Sequence, residues 1–105
     1  MATEGESAIA SEILHQLGGR RFIAMTGAKG FLINSEGALT FRLPSSFARD
    51  GINAVTIKLD PSDTYTVRFL KIRGTGVKEL AVVSDVYNDE LQRVFTEHTG
   101  LNTHL

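Results

Sequence analysis

From residue 3 to residue 17 the apolar side chains recur with a helical period. Ile9, Ile13 and Leu17 lie at i, i+4 and i+8, with Ala10 and Leu14 beside them, so one stripe of a helix is apolar. Thr3 and Glu6 have the spacing of a capping box, in which two side chains satisfy orphan amides of the first turn. His15 falls off the stripe and is expected at the surface. Gly18 and Gly19 can take the left-handed conformation that ends a helix. Beyond them the period changes to two: Phe22, Ala24 and Thr26 alternate with Ile23 and Met25, which predicts a strand apolar on both faces. Gly27-Ala28-Lys29-Gly30 then turns the chain, and Phe31-Leu32-Ile33 is expected as the partner strand of a hairpin.

Asn34-Ser35-Glu36-Gly37 reads as the next turn. Leu39, Phe41 and Leu43 point one way while Thr40 and Arg42 point the other, and Pro44 ends that strand because it has no N–H for the ladder. Ser45 to Gly51 reads as a loop. In the following strand Val55, Ile57 and Leu59 face inward and Thr56 and Lys58 outward, up to a turn at Asp60-Pro61-Ser62-Asp63. Tyr65, Val67 and Phe69 continue the inward set, with Thr66 and Arg68 outward. Leu70 and Ile72 then take over the apolar parity. That switch predicts a β-bulge near Phe69-Leu70, or a strand that passes from one covered face to another. Gly74-Thr75-Gly76 turns the chain into a last strand over Val77 to Val83.

The C-terminal helix has the clearest pattern, with Tyr87, Leu91, Val94, Phe95 and His98 on one stripe. Asp85, Asp89 and Glu90 crowd its start, where the helix dipole favours negative charge, and Gly100 stops it. The tail from Leu101 to Leu105 is expected to tuck its leucines against the sheet. The connections between strands are short, which favours an antiparallel meander. The expected architecture is α+β: residues 1–105 form one domain, an antiparallel sheet of five or six strands with N-terminal and C-terminal helices packed on one face and the other face open to water.

Composition narrows the class. The 105 residues are 42% hydrophobic and 22% charged, with no cysteine, which fits a globular domain without disulfides or thiolate metal sites. The acidic N-terminus is no secretory signal and no apolar run approaches a membrane span, so a soluble, cytoplasmic protein is expected. The net charge of −1 conceals a division: Arg20 to Lys78 carries ten Lys/Arg and four acids, the two ends one base and eight acids. Such asymmetry marks an anionic partner, or acidic helices decorating a basic sheet.

Familiar chemistry is missing. Gly27-Ala28-Lys29-Gly30 has its lysine before the second glycine, no following hydroxyl and no following helix, so it is no P-loop. His15, His98 and His104 are too scattered for a zinc site. Asp60 and Asp63 have the spacing of turn-capping groups rather than calcium ligands. No serine lies in a nucleophile elbow, so a non-enzymatic protein without a cofactor is expected. What remains is the outward face, where Thr40, Arg42, Thr56, Lys58, Thr66 and Arg68 form a patch of hydroxyls and cations. Arg42, Lys58 and Arg68 are candidate phosphate contacts, and Arg20, Arg21, Lys71 and Arg73 could enlarge the patch. Stacking aromatics are absent from it. A plain solvated face is the alternative, for which threonine and lysine are ordinary choices.

Two segments, Leu17 to Lys29 and Val94 to Leu101, carry a resemblance, supported by Ile52-Asn53-Ala54-Val55 and Asp63-Thr64-Tyr65. On these the chain resembles a family of short, uncharacterised proteins carried by bacteriophages and prophages. The resemblance implies context, not chemistry: action inside a host cell, on nucleic acid or on a host protein such as an enzyme or part of the defence machinery. In the second case the acidic ends, Asp85 to Glu97 above all, would meet a basic partner, or an exposed edge strand would add to a partner's sheet. Free sheet edges also make a homodimer a reasonable expectation.

Overall fold

The computed structural model describes residues 4–33, 38–44 and 48–101, with the backbone alone for 4–10. The expected capping box at Thr3 and Glu6, the turn at 34–37, loop residues 45–47 and the tail beyond Leu101, including His104, lie outside the described residues.

Helix α1 spans Glu4–Leu17. Ile13 and Leu17 are fully buried, as their stripe requires, and His15 is exposed. The helix ends where Gly19 donates its N–H to Leu14 O at 2.9 Å.

The segment expected to open the sheet is instead a second helix, α2, Arg20–Thr26. The four-residue apolar run Phe22–Met25 satisfies both periods at once, and burial decides between them. Phe22 and Thr26, four apart, are fully buried while Ala24 between them is exposed, which is the sign of a helix face. Phe22 meets Phe41 and Phe95 edge-on, at centroid distances of 5.4 and 5.1 Å. Gly27 closes the helix in the left-handed conformation at φ 72°, its N–H bonded to Ile23 O. The buried Thr26 hydroxyl donates to Phe22 O at 2.7 Å and accepts from the Ala28 N–H at 3.2 Å. The segment 27–30 is therefore a helix-to-strand junction, not a hairpin turn.

Five strands follow in meander order: β1 Lys29–Ile33, β2 Leu39–Arg42, β3 Ala54–Leu59, β4 Tyr65–Arg73 and β5 Gly76–Val86. All neighbours pair antiparallel. One face is covered. Leu39 and Phe41 stand beside Ile57 and Val55, and these beside Val67 and Phe69. Together with Ile13, Leu17, Phe22, Leu91, Val94 and Phe95 from the helices they make one core. Each such side chain, fully buried, contributes about 1.5–3 kcal/mol.

The register of β4 against β3 runs unbroken from Tyr65 to Leu70. The expected irregularity does fall at Phe69/Leu70, but in the pairing with β5: Phe69 faces Ala81 and Leu70 faces Glu79, so the extra residue is Leu80. A second extra residue lies between Val83 and Val86, where Asp85 takes φ 58°. Because β4 itself never slips, Leu70 and Ile72 belong to the open face and Lys71 and Arg73 to the covered one. Asn53 extends the β3–β4 ladder with its side chain, donating to Ile72 O at 2.8 Å and accepting from Ile72 N–H at 2.7 Å.

A 3-10 turn at Asn88–Glu90 leads into α3, Leu91–Thr99. Leu91, Val94, Phe95 and Thr99 are buried, and Gly100 ends the helix at φ 74°. Tyr87 is not on this stripe: it is 61% exposed, because the α-helix proper starts four residues later. Its N–H instead donates to the Glu90 carboxylate at 3.1 Å. That bond, followed by the Arg93 guanidinium, holds the Glu90 carboxyl below the usual range. Leu101 packs on the core as expected.

The open sheet face as a candidate nucleic-acid interface

Strand alternation assigns the open face from the register alone. Leu32, Thr40, Thr56, Arg68 and Val82 form one cross-strand row. The neighbouring row runs Lys29, Arg42, Ala54, Leu70 and Glu79. Lys58 and Thr66 form a third. All six outward residues expected from parity, Thr40, Arg42, Thr56, Lys58, Thr66 and Arg68, thus share one side of the sheet, the side away from the helices.

Their partners are specific. The hydroxyls of Thr40 and Thr56 are 3.0 Å apart, a bond between adjacent strands. Thr66 donates to the Asp60 carboxylate at 2.6 Å, which confirms Asp60 as a group that closes its turn. The Arg68 guanidinium donates to Glu79 at 2.8 Å. Lys58 is half-buried and engages a group within the protein. Arg42 is exposed, and no ion pair holds it among the described residues.

The second-rank cations do not join this patch. Arg20 and Arg21 sit at the exposed start of α2, in the helical layer, because the segment coils instead of extending. Lys71 and Arg73 are odd-numbered neighbours of Phe69 and emerge on its side of β4. In their place the fold brings up Lys29, opposite Arg42 in register. Its position became readable only once β1 was known to start at Lys29. Glu79 was equally hidden, since the bulge at Leu80 resets the parity of β5.

The face is also more apolar than its threonines and cations suggested. Leu32, Val77 and Val82 are exposed on it by 68, 63 and 42%, and Leu70 and Ile72 are half-buried there. No aromatic ring lies on it among the described residues; Phe31 packs on Phe41 in the core. No group of three metal-ligating side chains occurs among the described residues, and no helix there is long and apolar enough to cross a membrane.

Neither family models, nor curated proteins, nor solved structures yield a match to this chain.

Proposed function

We propose that this chain is a small non-enzymatic accessory protein that binds nucleic acid through the open sheet face. The observation that carries the reading is the placement of Lys29, Arg42, Lys58 and Arg68 on one uncovered side, interleaved with the threonines, against two carboxylates among the described residues, Glu79 and Asp60. Cations spaced along cross-strand rows suit a phosphate backbone, and the lack, among the described residues of this face, of a ring on which bases could stack favours sequence-independent contact. The Arg68–Glu79 pair is compatible with this. Both partners are nearly half exposed, so the pair is weak and a phosphate can compete for the guanidinium. The resemblance to short phage-carried proteins supports a site of action in the host cytoplasm.

The test is binding of a single-stranded oligonucleotide as a function of salt. With three or four phosphates engaged, log affinity falls with log salt at a slope of about −2 to −3. The double variant Arg42→Glu, Arg68→Glu loses binding at low salt. Binding that survives this reversal removes the open face from the mechanism.

One observation favours a second reading, in which the protein inhibits a host enzyme or a component of bacterial defence. Leu32, Val77 and Val82 offer apolar surface that a phosphate backbone would not use. The acidic α3 contributes less to that reading than its sequence suggested, because Glu90 and Glu97 both pair with Arg93, at 2.7 and 3.0 Å. Pairing of a partner's strand along β5 is also opposed by its two register shifts, which interrupt the free edge. A host protein captured by the wild type and lost with Val77→Asp and Val82→Asp, without dependence on nucleic acid, would favour this reading over the first.

A further inference from the structure

We propose that the tip of the β4–β5 hairpin binds a compact phosphate-type oxyanion through Lys71, Arg73 and Lys78. The site goes beyond the open face: Lys71 and Arg73 emerge on the opposite side of β4 from Arg68. Lys71 and Lys78 are direct cross-strand partners. Like charges so placed repel each other and destabilise the hairpin, unless an anion sits between them. Elsewhere the protein neutralises such cations itself, Arg68 with Glu79 and Arg93 with Glu90 and Glu97. Here it does not: no ion pair joins Lys71, Arg73 or Lys78 to a carboxylate among the described residues, Asp50 of the adjoining 3-10 turn included.

The surroundings leave room for a ligand. Lys71, Arg73, Gly76, Val77 and Lys78 line an open depression of ≈ 400 Å³. Arg73 stands opposite Gly76, which has no side chain to occupy the space across the hairpin. Lys71 is half-buried along the turn Arg49–Gly51, and a β-carbon at Gly51 would lie 3.2 Å from both its Cε and Nζ. That packing holds the lysine stem in place before any ligand arrives, which lowers the ordering cost of binding.

The lining selects the ligand class. Two ammonium groups and one planar guanidinium match the oxygens of a multiply charged phosphate, the guanidinium by a two-pronged contact. Among the described residues no aromatic ring lines the depression, and its one apolar residue, Val77, belongs by alternation to the open face, so a nucleobase or a lipid chain finds no platform. The phosphates can belong to a free anion such as diphosphate or to a nucleic-acid strand.

Inorganic diphosphate titrated into the full-length protein distinguishes the outcomes. Saturable amide shifts in the nuclear magnetic resonance spectrum are expected at Lys71, Arg73, Gly76 and Lys78, with a rise in Tm. Lys78→Gln is expected to weaken diphosphate binding by about tenfold or more, the loss of one charge-assisted contact. The same variant raises the ligand-free Tm by relieving the repulsion. Arg42→Glu leaves diphosphate binding unchanged whether or not the open face binds nucleic acid. A single-stranded oligonucleotide then identifies the source: tip shifts that vanish with Lys78→Gln indicate strand phosphates, and their absence a free anion. The proposal is overturned by shifts that do not saturate, by shifts spread over Lys29, Arg42 and Lys58, or by a Lys78→Gln protein that binds diphosphate as the wild type does.

Discussion

The imidazole of His98 lies flat on the ring of Phe69, with centroids 4.7 Å apart and planes within 10° of parallel. Its Nδ1–H donates to Val94 O at 3.0 Å, so the ring is fixed by its own helix and presented to the sheet. The stack joins α3 to β4. Replacing His98 by alanine is expected to cost about 0.5–1.5 kcal/mol beyond the lost packing area, and His98→Phe to retain most of it. Urea unfolding of the two variants measures the difference. Equal losses in both would show that the imidazole hydrogen bond, not the ring contact, matters.

Gly27 holds the junction between α2 and the sheet. It needs φ 72°, and a β-carbon there would come within 2.9 Å of Pro44 Cγ. Gly19 needs a similar φ of 60° but has nothing within 4 Å of that position. Its ψ of −129° lies outside the left-handed basin, in a region essentially limited to glycine, so Gly19→Ala should cost about 1–3 kcal/mol through the backbone alone. Gly27→Ala, within the left-handed basin, should cost about 1–2 kcal/mol plus the clash with Pro44. In thermal melts Pro44→Ala should recover part of the Tm lost in Gly27→Ala and none of that lost in Gly19→Ala; no recovery in Gly27→Ala would mean that Pro44 yields freely.

Tyr65 ends the covered face at the start of β4. Burial, then the Glu12 and Asp63 carboxylates, push its phenol above the ordinary 10.0. The fold thus favours the neutral form. The associated stability is intact below the ordinary pKa and is lost as pH rises through the higher folded value. Tm should fall faster above about pH 10 in the wild type than in Tyr65→Phe. Parallel curves for the two proteins would contradict the assignment.

The Arg68–Glu79 pair offers a direct probe of the open face. Glu79→Gln is expected to change stability by no more than about 1 kcal/mol, as for other exposed pairs. It releases the Arg68 guanidinium, so affinity for a single-stranded oligonucleotide should rise several-fold at low salt and less at high salt. A fall in affinity would indicate that Glu79 positions Arg68 rather than competing for it.

Most of the sheet is legible in the sequence. The alternation of Leu39–Phe41, Val55–Ile57–Leu59 and Tyr65–Val67–Phe69 has one solution as half-buried strands, and it placed Arg42, Lys58 and Arg68 on a common side. The strand reading of Arg20–Thr26 fails for a local reason: Phe22 to Met25 is apolar throughout, so nothing within those residues distinguishes period two from period 3.6. Phe22 settles it by meeting Phe41 and Phe95, both remote in sequence. Lys71 and Arg73 were misplaced because Leu70 and Ile72 mimic a change of parity that β4 does not make. The extra residue is Leu80, on the other strand.

What the sequence by itself determined was the class of fold, the meander and the charge division, since these follow from local periodicity and turn chemistry. Tertiary structure alone decided which cations act together. Sheet register depends on bulges in partner strands and on rings that meet across long stretches of chain, and a shift of one residue carries a side chain to the opposite face. The bulge at Leu80 sets Lys78 opposite Lys71, with no carboxylate paired to either among the described residues, and turns Glu79 toward the face of Arg68.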